Sequence, residues 1–279
     1  MKLISLALVI VAFISCGNSN NPSQENSTEI STLNAMAEQS EEVIQEVEAI
    51  PKEELLAKVT EEQPIENLKP ETSNNQPQTS IPTTETKPQP TIEDKLKKYI
   101  DYLGKNPVKP TWSKNEELAY WFNLYNASTV YLIASNYPTT SITKLEKGKP
   151  WDKKFIKSGD KTCSLNDIEN IIVRPNFNEP LVHVAFNCAA VSCPILLNEA
   201  FIVDKLYSQL EKQAKKWVND TTKNKLTPDK IKVSQIFDWY KDDFKSSGGV
   251  ISFINKYSNT KVNEKAKISY LEYNWNLNE

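Results

Sequence analysis

The sequence has one His, one Arg and six Gly among its 279 residues, and neither sign of charge dominates, since 33 Lys plus Arg face 36 Asp plus Glu. The resulting net charge of −3 removes the main electrostatic reason to expect a nucleic-acid-binding protein. Phe, Tyr and Trp are absent from residues 17–92, which contain fourteen Glu, eight Pro and only four Lys and carry a charge of −10. A segment without aromatic side chains cannot close a hydrophobic core, so residues 17–92 are predicted to be a disordered, acidic tether rich in Pro, Ser, Thr and Glu.

The remaining part of the chain, residues 93–279, has the composition of a globular body. It holds 25 of the 26 aromatic residues and carries a net charge of +6. Its 187 residues are enough for one domain with a full hydrophobic core.

The pattern of apolar residues in this body predicts mainly helices. Thr91, and the capping box formed by Ser113 and Glu116, predict two helix starts. Helices are predicted at residues 91–103, 113–136, 164–172, 198–218 and 253–257, and strands at 181–186, 230–234 and 267–275. Because helices dominate and the strands follow no βαβ order, we predict an α+β fold: a single helix-rich globular domain with a small sheet, behind the disordered N-terminal tether.

Residues 3–14 form an apolar run of about twelve residues, which is the length of a secretory signal, whereas a membrane span needs about twenty. The Ser15-Cys16-Gly17 sequence that follows resembles the lipobox of bacterial lipoproteins. Residues 1–16 are therefore interpreted as a lipoprotein-type signal peptide with Cys16 acylated; an ordinary signal peptide, in which Cys16 is lost or incidental, is the alternative. Acidic residues begin only at Glu25, so by analogy with such lipoproteins we expect a lipid-anchored cell-envelope protein in the outer membrane, facing the periplasm.

The densest group of reactive side chains lies in residues 183–194, where the only His, His183, is followed by Cys188 and Cys193. Export of the protein favours a disulfide between the two cysteines, or buried thiols. Alternatively, one of them is a nucleophile, and His183 is the base that raises its thiolate fraction. A zinc site that also includes Cys163 is the third interpretation, although the spacing matches none of the usual zinc patterns. The residues alone leave all three open.

Arg174 and two asparagines are the other polar residues that the sequence singles out. The body has 27 Lys but only this one Arg, which indicates a position that needs a planar, two-pronged donor. Arg174 either holds an internal carboxylate, such as Glu169 or Asp152, or binds a carboxylate or phosphate of a ligand. Asn123 and Asn126, three apart in an apolar helix, either pin a neighbouring loop or present their amides to a ligand.

Seven blocks of the sequence resemble, in order and in spacing, the successive blocks of the domain of unknown function 547 (DUF547) family. They are residues 121–127, 151–154, 164–170, 174–175, 183–194, 237–244 and 273–278. The resemblance spans roughly residues 115–278, with Asn170 standing where many members have a second His. The family name implies no established reaction. Its members include exported bacterial proteins and intracellular plant proteins, and the latter argue for a functional site rather than a disulfide as the general reason for the two cysteines.

These observations predict two alternative functions for the body. In the first, it is a thiol hydrolase or an acyl or amide transferase resembling papain-like or transglutaminase-like enzymes, in which Cys188 attacks and His183 accepts its proton. The supporting residues are then Asn187 or Asn123 as donors to an oxyanion, Arg174 as the group that binds or braces a carboxylate, and Asn126, Glu169, Trp151, Asp152 and Cys193 around them. In the second, it is a non-catalytic binding or envelope-scaffolding module with a structural Cys188–Cys193 disulfide. In both cases the expected partners are the membrane, through lipidated Cys16, and a peptide or other envelope ligand, with no nucleic acid, metal or cofactor.

Overall fold

The computed structural model describes residues 91–278. The predicted signal peptide with Cys16, and all but the last two residues of the predicted tether, lie outside the described residues.

The described residues fold into short strands between longer helices. The first half contains α1 (Ile92–Lys105), α2 (Lys114–Ala134), three 3-10 segments (Ile142–Lys144, Glu146–Gly148, Pro150–Asp152), β1 (Ile156–Ser158), β2 (Lys161–Cys163), a π-helix (Asp167–Val173), α3 (Arg174–Phe177) and α4 (Val182–Ala185). The second half contains a 3-10 segment (Val203–Lys205), α5 (Leu206–Val218), β3 (Lys225–Leu226), β4 (Lys230–Val233), α6 (Ile236–Trp239), a 3-10 helix (Lys241–Ser247), α7 (Val250–Tyr257) and β5 (Lys267–Tyr270). The predicted helix-rich α+β fold is confirmed.

The strands form two small sheets. β1 and β2 pair as an antiparallel hairpin. The other sheet has the order β3-β4-β5, in which β3 and β4 are antiparallel and β4 and β5 are parallel. Ile231 and Val233 of β4 face the core, while Lys230 and Lys232, which alternate with them, face solvent. This alternation matches the strand predicted at residues 230–234.

α2 is the central helix of the core. Ser113 accepts a hydrogen bond from the Glu116 N–H, and the Glu116 carboxylate accepts one from the Ser113 N–H, so the predicted capping box is present. The helix is buried on nearly all sides from Leu118 to Val130. A helix that is apolar around its whole circumference belongs inside a protein, and α1 packs along it from the start capped by Thr91.

The segment predicted as a buried strand, residues 181–186, is the short helix α4 instead. All six residues are buried, and a fully buried run carries no periodicity that distinguishes a helical turn from a strand. The predicted helix at residues 198–218 begins late for a different reason. Phe201 exchanges two hydrogen bonds with a side chain of α2, which holds the segment extended until the 3-10 segment that leads into α5.

The predicted helix at residues 164–172 is present, but most of it is π-helical. Ser164 and Asp167 exchange capping hydrogen bonds at its start. Ile168 is buried, whereas Ile171 is 63% exposed, so the two apolar residues do not share one buried face. The wider turn of a π-helix shifts each side chain around the axis, and such turns are frequent at functional sites.

β5 ends at Tyr270, whereas the predicted strand continues to residue 275. The residues beyond it, 271–278, form an extended segment that we call the C-terminal strap. Among residues 91–278, no helix is long and apolar enough to span a membrane.

Candidate functional site

Cys188 and Cys193 are joined by a disulfide. The loop between them is braced from within by Asn187, whose Oδ1 accepts from the Ala189 N–H at 2.8 Å and whose Nδ2 donates to the Pro194 carbonyl at 2.7 Å. Ala189 has a positive φ of 57°, a conformation that non-glycine residues seldom adopt. The loop therefore has one defined shape, held by a covalent bond and by a buried amide.

The C-terminal strap covers this loop through backbone hydrogen bonds. The N–H groups of Val191 and Ser192 donate to strap carbonyls at 2.8 and 3.2 Å, and the Asn278 N–H donates to the Ala189 carbonyl at 3.2 Å. Ser141 fastens the strap from the other side, since its hydroxyl donates to the Trp275 carbonyl at 2.7 Å. The strap thus carries Tyr273 and Trp275 to the disulfide.

Tyr273 joins the disulfide to a cluster of aromatic rings. Its hydroxyl lies 3.1 Å from the Cys188 sulfur, and its ring lies 4.8 Å from the ring of Trp239 and 4.6 Å from that of Trp275. The ring of Trp151 contacts Trp275 at 5.4 Å. Trp239 is 48% exposed. We call these four residues, Trp151, Trp239, Tyr273 and Trp275, the aromatic surface.

His183 lies on α4 and is buried. Its Nε2 is 2.8 Å from Asp243 Oδ2, and its ring stacks on Tyr240 at 4.4 Å between centroids. Among residues 91–278, no hydrogen bond joins His183 to Cys188; the Cys188 sulfur contacts the Tyr273 hydroxyl instead. His183 therefore makes no hydrogen bond to the sulfur that it would have to deprotonate as the base for Cys188.

Arg174 holds an internal carboxylate, as one of its two predicted roles requires, but the carboxylate belongs to Asp243 and not to Glu169 or Asp152. Its Nε and Nη2 donate to the two oxygens of Asp243 at 2.6 and 3.1 Å, and its Cζ lies 4.4 Å above the ring of Tyr240. Such a two-pronged contact needs a guanidinium. Burial alone raises the pKa of Asp243, but hydrogen bonds from His183 and Arg174 outweigh it and hold that pKa well below its usual range.

A chain of side-chain amides extends from Arg174 to the surface. Arg174 Nη1 donates to Asn170, Asn170 Nδ2 donates to Asn166, and Asn166 Nδ2 donates to Asp152 at 3.1 Å. Residues 166, 170 and 174 are four apart and share one helix face. Asp152 therefore connects to Arg174 only through two asparagines. Asn170 relays this chain, since it accepts from Arg174 and donates to Asn166.

Glu169 is a buried carboxylate among tyrosines. The Tyr125 hydroxyl donates to it at 3.2 Å, and the Tyr240 hydroxyl lies beside it. Burial, and then the charge of Glu169, raise the pKa of both hydroxyls. The Trp151 side chain lies beside the Tyr125 hydroxyl and acts to lower its pKa, so the aromatic surface adjoins a partner of this carboxylate.

Asn123 and Asn126 both pin loops to α2. Asn123 donates to the Phe201 carbonyl at 2.9 Å and accepts from the Phe201 N–H at 2.8 Å. Asn126 donates to the Ala185 carbonyl at 2.8 Å and accepts from the Asn187 N–H at 3.0 Å. Asn126 therefore sets the start of the disulfide loop, whereas Asn123 acts on a segment outside the site.

Cys163 is a buried free thiol on β2, and burial raises its pKa. In the described part of the chain, no three His, Cys, Asp or Glu side chains are grouped as metal ligands. Among the described residues, His183, Cys188, Cys193 and Cys163 therefore do not form the zinc site that was one interpretation of the sequence.

The residues that sequence reasoning missed are Asp243, Tyr240, Tyr125 and Tyr273. All four lie in the blocks that resemble the DUF547 family, at residues 121–127, 237–244 and 273–278. Nothing in the pattern singled them out, because Asp and Tyr are frequent in this sequence, whereas His and Arg each occur once.

Comparison with known proteins identifies one family. Residues 110–218 match the family model described as protein of unknown function, DUF547. Over these residues the chain is similar to the DUF547 family. The match includes Arg174, His183, Cys188 and the two loop-pinning asparagines, while Asp243 and the C-terminal strap lie beyond it. No curated protein and no solved structure matches the chain.

Proposed function

We propose that the chain is a lipid-anchored protein of the bacterial cell envelope whose DUF547 domain, with the residues that follow it, binds an extended peptide. The observation that carries this proposal is the open edge of β5, which runs into the aromatic surface. β5 lies at the end of the order β3-β4-β5, so one of its sides has no strand partner among the described residues.

The backbone of β5 alternates between its two sides. The N–H groups of Lys267 and Leu271 donate to carbonyls on the β4 side at 3.0 and 2.8 Å. Successive peptide groups of a strand point in opposite directions, so those of Ile268 and Tyr270 point away from β4. An extended peptide can pair with such an edge through main-chain hydrogen bonds.

The aromatic surface adjoins this edge and supplies side-chain contacts. Burial, and then the charge of Asp238, raise the pKa of Tyr270, so Tyr270 lies beside the chain neighbour of Trp239. Trp239 is 48% exposed and Ile268 is 37% exposed, so both offer apolar area to a ligand. Exposed Trp and Tyr rings carry a large share of the binding energy at interfaces. The peptide backbone then pairs with β5, and one of its apolar side chains packs on Trp239.

Peptide binding is tested on the full chain with random decapeptides displayed on phage. The selected peptides should lose about tenfold or more in affinity for Trp239→Ala, which removes the exposed ring, and for Ile268→Pro, which removes an outward N–H. Tyr137→Ala is the matched control, because it removes an aromatic side chain that is 51% exposed elsewhere. Bound peptide should slow hydrogen exchange at Ile268 and Tyr270. Selection of no peptide, or equal losses in all three variants, would contradict the proposal.

The anchoring part of the proposal rests on the sequence. The apolar run at residues 3–14 and the lipobox-like Ser15-Cys16-Gly17 support a lipid on Cys16 that holds the protein in the outer membrane, facing the periplasm. Mass spectrometry of membrane-extracted protein should find an acylated N-terminus at Cys16, and Cys16→Ser should release soluble protein. A mature chain that starts at another residue would contradict this part.

A Cys-His hydrolase or transferase is the second candidate function, and the contact between His183 and Asp243 favours it, since a carboxylate that orients a His is common in nucleophilic catalysis. This function requires a reduced Cys188. After mild reduction, Cys188 should then be alkylated faster than Cys163 near neutral pH, and His183→Gln should slow that labelling while the fold stays intact. Equal labelling rates in the variant and the wild type would exclude His183 as the base.

A further inference from the structure

Two hydrogen-bond donors point at the sulfurs of the Cys188–Cys193 disulfide. The Tyr273 hydroxyl lies 3.1 Å from the Cys188 sulfur and 3.5 Å from the Cys193 sulfur. The backbone N–H of Cys188 donates to the Cys193 sulfur at 2.9 Å. Sulfurs in a disulfide carry no proton, so the hydroxyl and the N–H must be the donors.

Donors in these positions stabilise the reduced pair more than the oxidised one. A thiolate is charged, and it accepts a hydrogen bond more strongly than a neutral disulfide sulfur does. Burial, and then the nearby Tyr240 and Glu169, raise the pKa of Tyr273, so its hydroxyl keeps its proton at neutral pH and remains a donor. Stabilisation of the reduced form makes a disulfide a better electron acceptor.

The two cysteines differ in their exposure to solvent. Cys188 is partly exposed, whereas Cys193 is only 4% exposed. An external thiolate can therefore reach Cys188 and not Cys193. The Cys188 N–H at 2.9 Å and the Tyr273 hydroxyl at 3.5 Å both reach Cys193, the sulfur that must leave with the electron pair, although the hydroxyl is nearer to Cys188.

We propose that Cys188–Cys193 is a thiol–disulfide exchange site that is reduced by an external dithiol. The thiolate of the dithiol attacks the Cys188 sulfur, the bond between Cys188 and Cys193 breaks, and the electron pair goes to Cys193 as a thiolate. The second thiol of the reductant, after losing its proton, attacks its own sulfur in the mixed disulfide and releases Cys188 as a thiolate. Two electrons enter the protein, the dithiol becomes a disulfide, and its two protons go to the solvent or to the new thiolates.

This exchange goes beyond peptide binding and does not depend on it. The exchange site nevertheless adjoins the aromatic surface, because Tyr273 contacts both sulfurs and packs on Trp239 and Trp275. A change of charge at the sulfurs therefore acts directly on Tyr273, whose ring packs on both Trp239 and Trp275 in the aromatic surface.

The first test measures the redox equilibrium of the full chain in glutathione buffers, with the fraction of reduced Cys188 and Cys193 read by differential alkylation and peptide mapping. The folded wild type should be reduced reversibly. Tyr273→Phe should shift the equilibrium toward the disulfide by about tenfold, the value of one charge-assisted hydrogen bond. Tyr207→Phe, which removes a hydroxyl bonded to Glu179, is the matched control and should behave like the wild type. Reduction only under unfolding conditions, or no shift in a folded Tyr273→Phe, would overturn the proposal.

The second test locates the attacked sulfur and does not need a variant of Tyr273. In Cys193→Ser, oxidised glutathione should form a mixed disulfide with Cys188 in the folded protein. In Cys188→Ser, Cys193 should stay unmodified until the protein is denatured, as should the buried Cys163, which serves as an internal reference. Equal modification of Cys188 and Cys193 in these two variants would overturn the assigned roles, and modification of neither would overturn the exchange site itself.

Discussion

Two regions of the body bury polar side chains among aromatic ones, and they satisfy these groups by different means. On α2, Asn123 and Asn126 are neutral, and each amide both donates to and accepts from the backbone of a distant segment. In the second region, the carboxylate of Asp243 is bonded to the guanidinium of Arg174 and to the ring of His183. The amides hold their segments at any pH, whereas the cluster depends on the charge of Asp243. We expect the first region to serve the fold and the second to respond to its surroundings.

The largest difference between the regions should appear in Asp243→Ala, which leaves Arg174 and His183 without their carboxylate. Removing one member of a buried ion pair destabilises a protein by about 3–5 kcal/mol, and because the Asp243 side chain is 23% exposed we expect about 3 kcal/mol. The free energy of unfolding from urea titration measures this. Asp242→Ala removes the adjacent carboxylate, which is 81% exposed, and should change stability by less than about 0.5 kcal/mol. Similar losses in the two variants would remove the distinction.

The next largest effect should come from the neutral region. Asn126→Ala leaves the Ala185 carbonyl and the Asn187 N–H without partners in a buried place, which should cost about 2 kcal/mol. Asn136→Ala, on an exposed residue two positions beyond the end of the same helix, is the control. The loss in Asn126→Ala should be the same at pH 4 and pH 7 when measured by urea titration. A pH-dependent loss would mean that the two regions are coupled.

A smaller effect should separate charge from geometry in the Asp243 cluster. Arg174→Lys keeps the positive charge but cannot make two parallel hydrogen bonds to Asp243 while also reaching Asn170, so it should lose about 1.5 kcal/mol. Thermal or urea unfolding should find Arg174→Ala only slightly less stable than Arg174→Lys. A Lys variant as stable as the wild type would show that charge alone is sufficient.

The smallest effect should appear in the pH dependence of stability. The pKa of Asp243 is lower in the folded protein than in the unfolded chain, so its contribution is complete above about pH 4 and is lost as the pH falls toward the folded value. Compared with Asp243→Asn, the wild type should lose roughly 1 kcal/mol more between pH 5 and pH 3. Parallel curves for the two proteins would mean that Asp243 titrates alike in both states.

Much of the fold could be predicted because its signals are local. Capping hydrogen bonds at Thr91 and Ser113 span three residues, and both mark real helix starts. The alternation around Ile231 marks β4 in the same way. The prediction failed at residues 181–186, where complete burial removes the polar face on which periodicity depends.

The site was predictable only in part. The single Arg indicated a two-pronged contact with a carboxylate, and Arg174 makes one, but its partner lies 69 residues further along the chain. Asp242 and Asp243 are adjacent and chemically identical, yet one is in the cluster and the other is 81% exposed. No local pattern distinguishes them, since only the packing of α3 and α4 against the 3-10 helix Lys241–Ser247 decides which carboxylate faces inward.

The sequence by itself determined the helix starts, the core helix α2, the division between an acidic segment without aromatic residues and an aromatic body, and the residue types available for chemistry. These features depend on composition and on contacts between residues a few positions apart. Only the tertiary structure decided that His183 meets Asp243 across 60 residues and that Tyr273 reaches the Cys188 sulfur across 85. Such pairings depend on how separate elements pack into one core, where a polar group must take whichever partner the packing brings within hydrogen-bond distance.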